Sequence, residues 1–348
     1  PWSGDSVFSQ FSGLLTTVEQ TLAVIHRQIR RMLTVGTRKE LEQLLDKTKL
    51  FCLRQSNMVY YTAEDEGGGS MLCASATDLT AQLRQTLWRQ ERPMVLASGT
   101  LAVRNDFRRF KEETGLLADG RVREHTAPSP FDYQRNCLLY LPKMLPKQAS
   151  GDYYDALAEQ IARLLEASHG HALGLFTSYA AMSAVRERLD RKHLPYPILT
   201  LGRNCGRTME EFMARPGSVL LAAGAAWEGF DFPGDCVSLL ILPRLPFPLP
   251  DAVKEQERMR HSTLHEFLRA VVVPEMQIKL RQGFGRAIRT ETDTCVVAVL
   301  DERAGRDRRY FRDMMAALPE VAVTHSMTDV ERFIRAVKPE GYFLEGAA

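Results

Sequence analysis

Apolar residues at alternating steps of four and three mark the start of the chain. Phe11, Leu15, Val18, Leu22, Ile25, Ile29 and Met32 form a heptad seam. The seam predicts one long helix over residues 8–35, with a stripe packed on a neighbouring helix. Gly36 is expected to end it. Leu41, Leu44, Leu45 and Leu50 then predict a second helix over 38–50, so the pair reads as a helical hairpin. The basic stretch Arg27, Arg30, Arg31, Arg38 and Lys39 either lines a nucleic-acid path or forms a solvated face.

The period then shortens. Residues 57–63 and 70–74 read as strands around the acidic, glycine-rich turn Glu64 to Ser70. A helix is expected over 77–89, a short buried strand at Met94-Val95-Leu96-Ala97, and a helix over 103–115. Residues 127–150 are Pro-rich and read as a crossing between domains. Beyond them, strands near 136–141, 172–177, 197–200, 218–222, 237–243 and 294–300 alternate with helices. The helices fall near 152–167, 179–191, 207–214, 252–260, 263–289 (broken near Pro274), 306–316 and 328–337. Short apolar strands alternating with amphipathic helices predict an α/β fold, a parallel sheet with helices on both faces.

Composition narrows the picture slightly. The 348 residues suit two domains, and a net charge of +2 means that any nucleic-acid binding comes from local patches. No apolar run approaches the roughly 18 residues of a membrane span, so no membrane contact is expected. The six cysteines, Cys52, Cys73, Cys137, Cys205, Cys236 and Cys295, form no CxxC pair. Reduced thiols and a cytoplasmic location are expected, without a zinc ribbon or disulfide framework.

Candidate chemistry gathers in three places. In Gln282-Gly283-Phe284-Gly285-Arg286-Ala287-Ile288-Arg289, the two arginines are three apart and are expected on one helix face. There they can clamp phosphate oxygens and offset charge during phosphoryl transfer, while Gly285 admits a close backbone. Gly224 to Gly234 follows the strand Val219-Leu220-Leu221-Ala222. A loop at that end of a parallel strand is a ligand position, and Glu228 and Asp231 offer acceptors. In Leu175-Phe176-Thr177-Ser178-Tyr179 a strand ends in hydroxyls that can cap a helix, where free N–H groups suit phosphate. Each has an ordinary alternative: a surface helix with two arginines, a glycine-rich turn around a buried aromatic, a plain N-cap.

With Ser98-Gly99-Thr100-Leu101 and Pro128-Ser129-Pro130-Phe131-Asp132-Tyr133, these segments stand in the order of superfamily-two helicase motifs. The chain resembles the C-terminal part of the DinG/XPD group over about residues 90–305, and the run Leu242 to Pro248 is similar as well. The resemblance implies a RecA-like second motor domain over 135–348. Residues 1–134 would be an arch-like helical hairpin and a remnant of the first motor domain. It further implies that Arg286 and Arg289 act on ATP and magnesium held by that first domain, and that Gln282 helps couple the motor faces along with Ser98 and Thr100. Glu228, Gly229, Asp231 and Gly285 would lie near the nucleotide. Thr177, Ser178, Tyr179 and Trp227 would touch single-stranded DNA, moved with 5′-to-3′ polarity. For Trp227 the alternative is a core aromatic that holds its loop.

Neither a GxxxxGK[ST] loop nor a DExH run is present, and no four cysteines are placed to hold an iron–sulfur cluster. A chain starting downstream of those motifs explains their absence together, and such a chain alone is expected to be inactive. A catalytically inactive helicase-like binding module is the rival reading. A Rossmann-like enzyme is disfavoured because no GxGxxG is present. His261 and His265 are four apart but have no third ligand in sequence, so no metal is expected there.

Overall fold

The computed structural model describes residues 4–64, 68–90, 92–103, 105–143, 150–202, 205–227, 230, 232 and 234–343. The chain divides into two compact units. The first comprises Pro1–Val95, Arg108–Val122 and Leu249–Leu268, and the second Leu96–Phe107, Arg123–Pro248 and Arg269–Ala348. The units therefore do not follow a single cut at 134/135. The chain leaves the second unit after Pro248 and returns at Arg269.

In the first unit, α1 (Gly4–Ile29) and α2 (Val35–Leu53) pack as a hairpin. Gly36 does not end α1: it lies in the first turn of α2, behind Thr34, whose Oγ1 accepts from the Thr37 N–H at 3.3 Å. The heptad seam is only partly covered. Leu15 and Leu22 are half-buried, whereas Val18, Ile25, Ile29 and Met32 are exposed. β1 (Met58–Glu64) and β2 (Ser70–Ala76) form an antiparallel pair in register from Met58–Ala76 to Glu64–Ser70. α3 (Thr80–Thr86) and α4 (Arg108–Thr114) follow, both shorter than their apolar patterns suggest. The buried strand expected at 94–97 is absent. Val95 is 92% exposed, and Met94 and Leu96 are exposed too. An apolar run becomes a strand only where a neighbouring strand pairs with it, and this one joins no ladder among the described residues.

The second unit is built on a parallel sheet, seven-stranded among the described residues. After the short α5 (Tyr133–Asn136) come β3 (Cys137–Tyr140), α6 (Tyr153–Ala167), β4 (Ala172–Phe176), α7 (Tyr179–Asp190), β5 (Ile198–Thr200) and α8 (Cys205–Ala214). β6 (Val219–Ala223) and β7 (Leu239–Leu242) follow. The chain then runs through α9 (Ala252–Arg258) and α10 (Leu264–Phe267) of the first unit, and returns as α11 (Val273–Phe284), β8 (Cys295–Val299), α12 (Phe311–Ala317), β9 (Ala322–Thr324) and α13 (Met327–Val337). The order across the sheet is β5-β6-β4-β7-β8-β3-β9. β9 has no counterpart in the sequence pattern because two of its three residues are exposed.

Period-two alternation divides the core. Leu173, Leu175, Leu220, Leu240 and Val297 point to the face covered by α8, α11 and α12. Ala172, Phe176, Leu221, Ile241 and Val296 point to the face covered by α6, α7 and α13. α11 carries Pro274 as its second residue, and because Val272 before it is already helical (φ −68°, ψ −43°), the proline removes one donor from the preceding turn. The irregularity expected at Pro274 is instead a π-helical turn, Leu268–Val272, just before it.

The α6–β4 connection is tight. His169, Gly170 and His171 all have positive φ, at 51°, 76° and 43°. A Cβ on Gly170 would sit 1.9 Å from the Gly217 carbonyl oxygen. Gly170→Ala should therefore destabilise the protein by about 1–3 kcal/mol or more, through overpacking and strain. Thermal denaturation followed by circular dichroism checks this, and an unchanged melting temperature would show that the connection can shift.

Candidate nucleotide and nucleic-acid site

β6 ends in a 3-10 turn, Gly224–Trp227. Gly224 has φ +66°, and a Cβ there would lie 3.1 Å from the Tyr179 hydroxyl. This close approach brings the loop after β6 against the start of α7. Ser178 caps α7, its Oγ accepting from the Ala181 N–H at 3.2 Å. Thr177 is half-buried, and Tyr179 is 54% exposed. Hydroxyls and a half-exposed aromatic ring therefore stand together where β4 ends.

Trp227 occupies the centre of the region. Its ring is 0% exposed, and Nε1 donates to the Phe176 carbonyl at 2.9 Å. α11 crosses it at Gly283, where a Cβ would come 2.7 Å from ring atom Cζ3. The Lys279 ammonium lies 5.7 Å from the ring centroid. This corrects the expectation that Trp227 faces a base: an enclosed indole with a committed N–H offers no stacking surface.

The helix carrying the arginines is shorter than expected. α11 stops at Phe284, Gly285 is its C-cap, and Arg286 and Arg289 lie in the turns that follow. They do not share a helix face, yet they converge. Arg286 Nη1 and Arg289 Nη2 both donate to the Phe230 carbonyl, the latter at 3.2 Å. Arg286 Nη2 reaches the Trp227 carbonyl at 3.4 Å. Asp293 makes the second turn possible and has no place in the sequence reading. Its buried carboxylate accepts from the N–H groups of Arg289 and Thr290, both at 2.8 Å, and from the Thr290 hydroxyl at 2.7 Å. The Thr290-x-x-Asp293 spacing, typical of side-chain-capped turns, was the available signal.

Gln282 is half-buried in the last turn of α11. In the same helix Arg281 donates to the carbonyls of Ala317 and Ala102 at 3.1 and 3.0 Å, and burial lowers its pKa. The second contact tethers the segment holding Ser98 and Thr100, whose hydroxyls lie 3.1 Å apart at the surface. Glu228, Gly229 and Asp231 lie outside the described residues, as do Asp65 and Glu66 of the acidic turn. His261 sits 3.7 Å from Glu266 and against the Phe267 ring. Among the described residues there is no group of three or more His, Cys, Asp or Glu able to hold a metal, and no helix long and apolar enough to cross a membrane.

The parallel sheet with helices on both faces is a RecA-like α/β fold. Residues 161–321 match the family described as the helicase C-terminal domain. The chain is 30% identical over 314 residues to the ATP-dependent DNA helicase YoaA of Haemophilus influenzae, covering 87% of this chain and 48% of that one. It is 32% identical over 288 residues to the ATP-dependent helicase DinG of Mycobacterium tuberculosis, covering 81% and 43%. It thus spans about half the length of the curated relatives it matches. A solved XPD helicase structure shares the fold with a TM-score of 0.56 at 17% identity, over 88% of this chain and 55% of that one. The matching family model and these relatives support a helicase C-terminal region of the DinG/XPD type.

Gly283→Ala should lower stability by about 1–3 kcal/mol, because neither the enclosed indole nor the helix can give way freely. Asp293→Ala should cost about as much, by leaving two backbone N–H groups without their acceptor. Chemical denaturation of both variants checks the pair, and wild-type midpoints would contradict the packing described.

Proposed function

We propose that this chain serves as the second motor domain of an ATP-dependent 5′-to-3′ DNA helicase. One observation carries the reading: Arg286 and Arg289 both aim a guanidinium at a single oxygen, the Phe230 carbonyl. An anionic phosphate oxygen would satisfy the same donors and add charge attraction, which a neutral carbonyl lacks. ATP and magnesium would belong to a partner domain with a phosphate loop, and the nucleotide supplies a γ-phosphoryl group whose transfer builds charge on its oxygens.

Arg286 and Arg289 would exchange the Phe230 carbonyl for that phosphate as the two motor domains close, offsetting the developing charge. Gln282, one turn earlier, would report closure to α11, and Ser98 and Thr100 would transmit it between the motors. Gly285 would admit the nucleotide close to the backbone, with Glu228, Gly229 and Asp231 beside it. Thr177, Ser178 and Tyr179 would grip single-stranded DNA by phosphate contacts and one stacked ring, without reading sequence. Trp227 would act from the core by holding these parts together.

The chain alone should release phosphate from ATP only at background. Paired with a DinG-type phosphate-loop domain, Arg286→Ala and Arg289→Ala should each cut turnover on the order of a thousandfold while leaving ATP binding nearly intact. Near wild-type turnover in both variants would sink the finger assignment, whereas no turnover from the wild-type pair would favour a catalytically inactive binding module.

The chain alone should also bind single-stranded DNA weakly, with affinity falling as salt rises, because phosphate contacts release counterions. Tyr179→Ala should weaken binding by about 1–3 kcal/mol if the exposed ring stacks on a base. Fluorescence anisotropy decides this. Equal binding of single-stranded and duplex DNA, untouched by substitutions at Thr177, Ser178 and Tyr179, would overturn the path.

A further inference from the structure

The C-terminal ends of parallel strands all lie on one edge of the sheet. That edge carries Thr177–Tyr179 after β4 and Gly224–Trp227 after β6. Three strand spacings away, about 14 Å at the usual ~4.8 Å per strand, the same edge holds a cavity of about 380 Å³. Its lining comes from the segments that follow β3, β8 and β9. They supply Lys143, Arg306, Asp307, Arg308 and His325. Nothing in the chemistry described above uses it.

The charge is one-sided. Lys143, Arg306 and Arg308 face one carboxylate, Asp307. Two further carboxylates stand on the loop after β8, Glu302, which is not in the lining, and Asp301, which is already committed. Asp301, buried, holds Arg303 in a two-pronged ion pair at 2.7 Å and accepts from the Leu245 N–H at 2.9 Å. Burial pushes the Asp301 carboxyl up, but the Arg303 and backbone hydrogen bonds outweigh this and hold it below its ordinary value. It therefore remains an anion bound to Arg303.

The frame around the cavity is built. The Arg303 guanidinium lies 4.7 Å from the centroid of the Phe247 ring, that ring 4.7 Å from Tyr310, and the Arg309 guanidinium 5.1 Å from Tyr310. The Arg308 N–H donates to the Gly305 carbonyl at 2.9 Å, closing the turn that presents Arg306 and Arg308. His325 is fixed by Nδ1 donating to the Leu141 carbonyl at 2.6 Å. Three cations lining one cavity beside a braced turn suit an oxyanion better than an apolar ligand.

We propose that this pocket is a phosphate subsite for the backbone of single-stranded nucleic acid, extending the grip along the sheet edge from β4 and β6 to β8, β3 and β9. It rests on the nucleic-acid reading above. Arg306 and Arg308 supply planar donors, Lys143 a mobile point charge, and together they take one or two phosphodiesters without touching a base.

The test uses the whole chain, a labelled oligo(dT) and anisotropy titrations across a salt series. Arg306→Gln with Arg308→Gln should weaken binding several-fold at low salt. It should also flatten the plot of log affinity against log salt by about 0.7 for each phosphate that is no longer neutralised. Arg306→Lys with Arg308→Lys should keep most of the slope. Arg215→Gln, on the exposed end of α8 and paired with Glu211, should leave it unchanged. Lys143→Gln alone gives the same readout if the double variant melts early.

If the wild-type chain binds and the pocket variants keep its slope, the subsite is wrong while the nucleic-acid reading stands. If the wild-type chain does not bind single strands at low salt, both fall together. Inorganic pyrophosphate separates the sources of anion. Thermal stabilisation by pyrophosphate that the double glutamine variant abolishes, with an unchanged DNA slope, would assign the pocket to a free anion and overturn the proposal. Equal effects of pyrophosphate on wild type and variant, with a flattened DNA slope, support it.

Discussion

The site hangs on one buried ring. Trp227 reaches the end of β4 through its hydrogen bond to Phe176, supports α11 at Gly283, and begins the loop whose carbonyls receive both arginines. Burying an indole without a partner for its N–H carries a polar penalty. Here the Phe176 carbonyl removes it and fixes the ring's rotation. A fixed ring then dictates that position 283 be glycine, since a Cβ would overlap its six-membered edge. The position of the arginine turn follows from where α11 can lie.

That arrangement ties two chemistries to one packing unit. Thr177, Ser178 and Tyr179, proposed to meet a nucleic-acid strand, leave β4 directly after Phe176, and the guanidiniums follow α11 directly after the helix ends at Phe284. A shift of α11 against the sheet would move the guanidiniums and pull on the carbonyl preceding Thr177. Packed cores transmit displacements because their interiors are dense and scarcely compressible. The sheet edge adds a second layer of organisation, since ionic and aromatic contacts at Asp301, Arg303, Phe247 and Tyr310 brace the loops after β7 and β8.

Much of the second unit was legible in sequence. The strands at Ala172–Phe176, Val219–Ala223 and Cys295–Val299 are fully buried, so their apolar runs carry an unmixed signal. β9 was invisible because it is an edge strand with two exposed residues. Met94-Val95-Leu96 read as a strand for the opposite reason: apolar character predicts burial, but pairing needs a neighbour that the pattern cannot supply. In the site, the chemical types at Arg286 and Arg289 were legible and their geometry was not. The helix ends at Gly285, and a side-chain-capped turn at Asp293 brings the two guanidiniums together. Trp227 read as either core or contact, since an aromatic in a glycine-rich loop fits both. Its burial is set by residues more than fifty positions away in each direction, at Phe176 and Gly283.

The central claim is that Trp227 holds both arms of the site in place. Hydrogen–deuterium exchange on Trp227→Phe tests it most directly, because that change keeps most of the ring and deletes the N–H donor. The account predicts faster exchange in two separated stretches, 176–181 and 285–290, with α13 and β9 unchanged. Acceleration confined to the Gly224–Trp227 turn, with both arms protected as in the wild type, would contradict it.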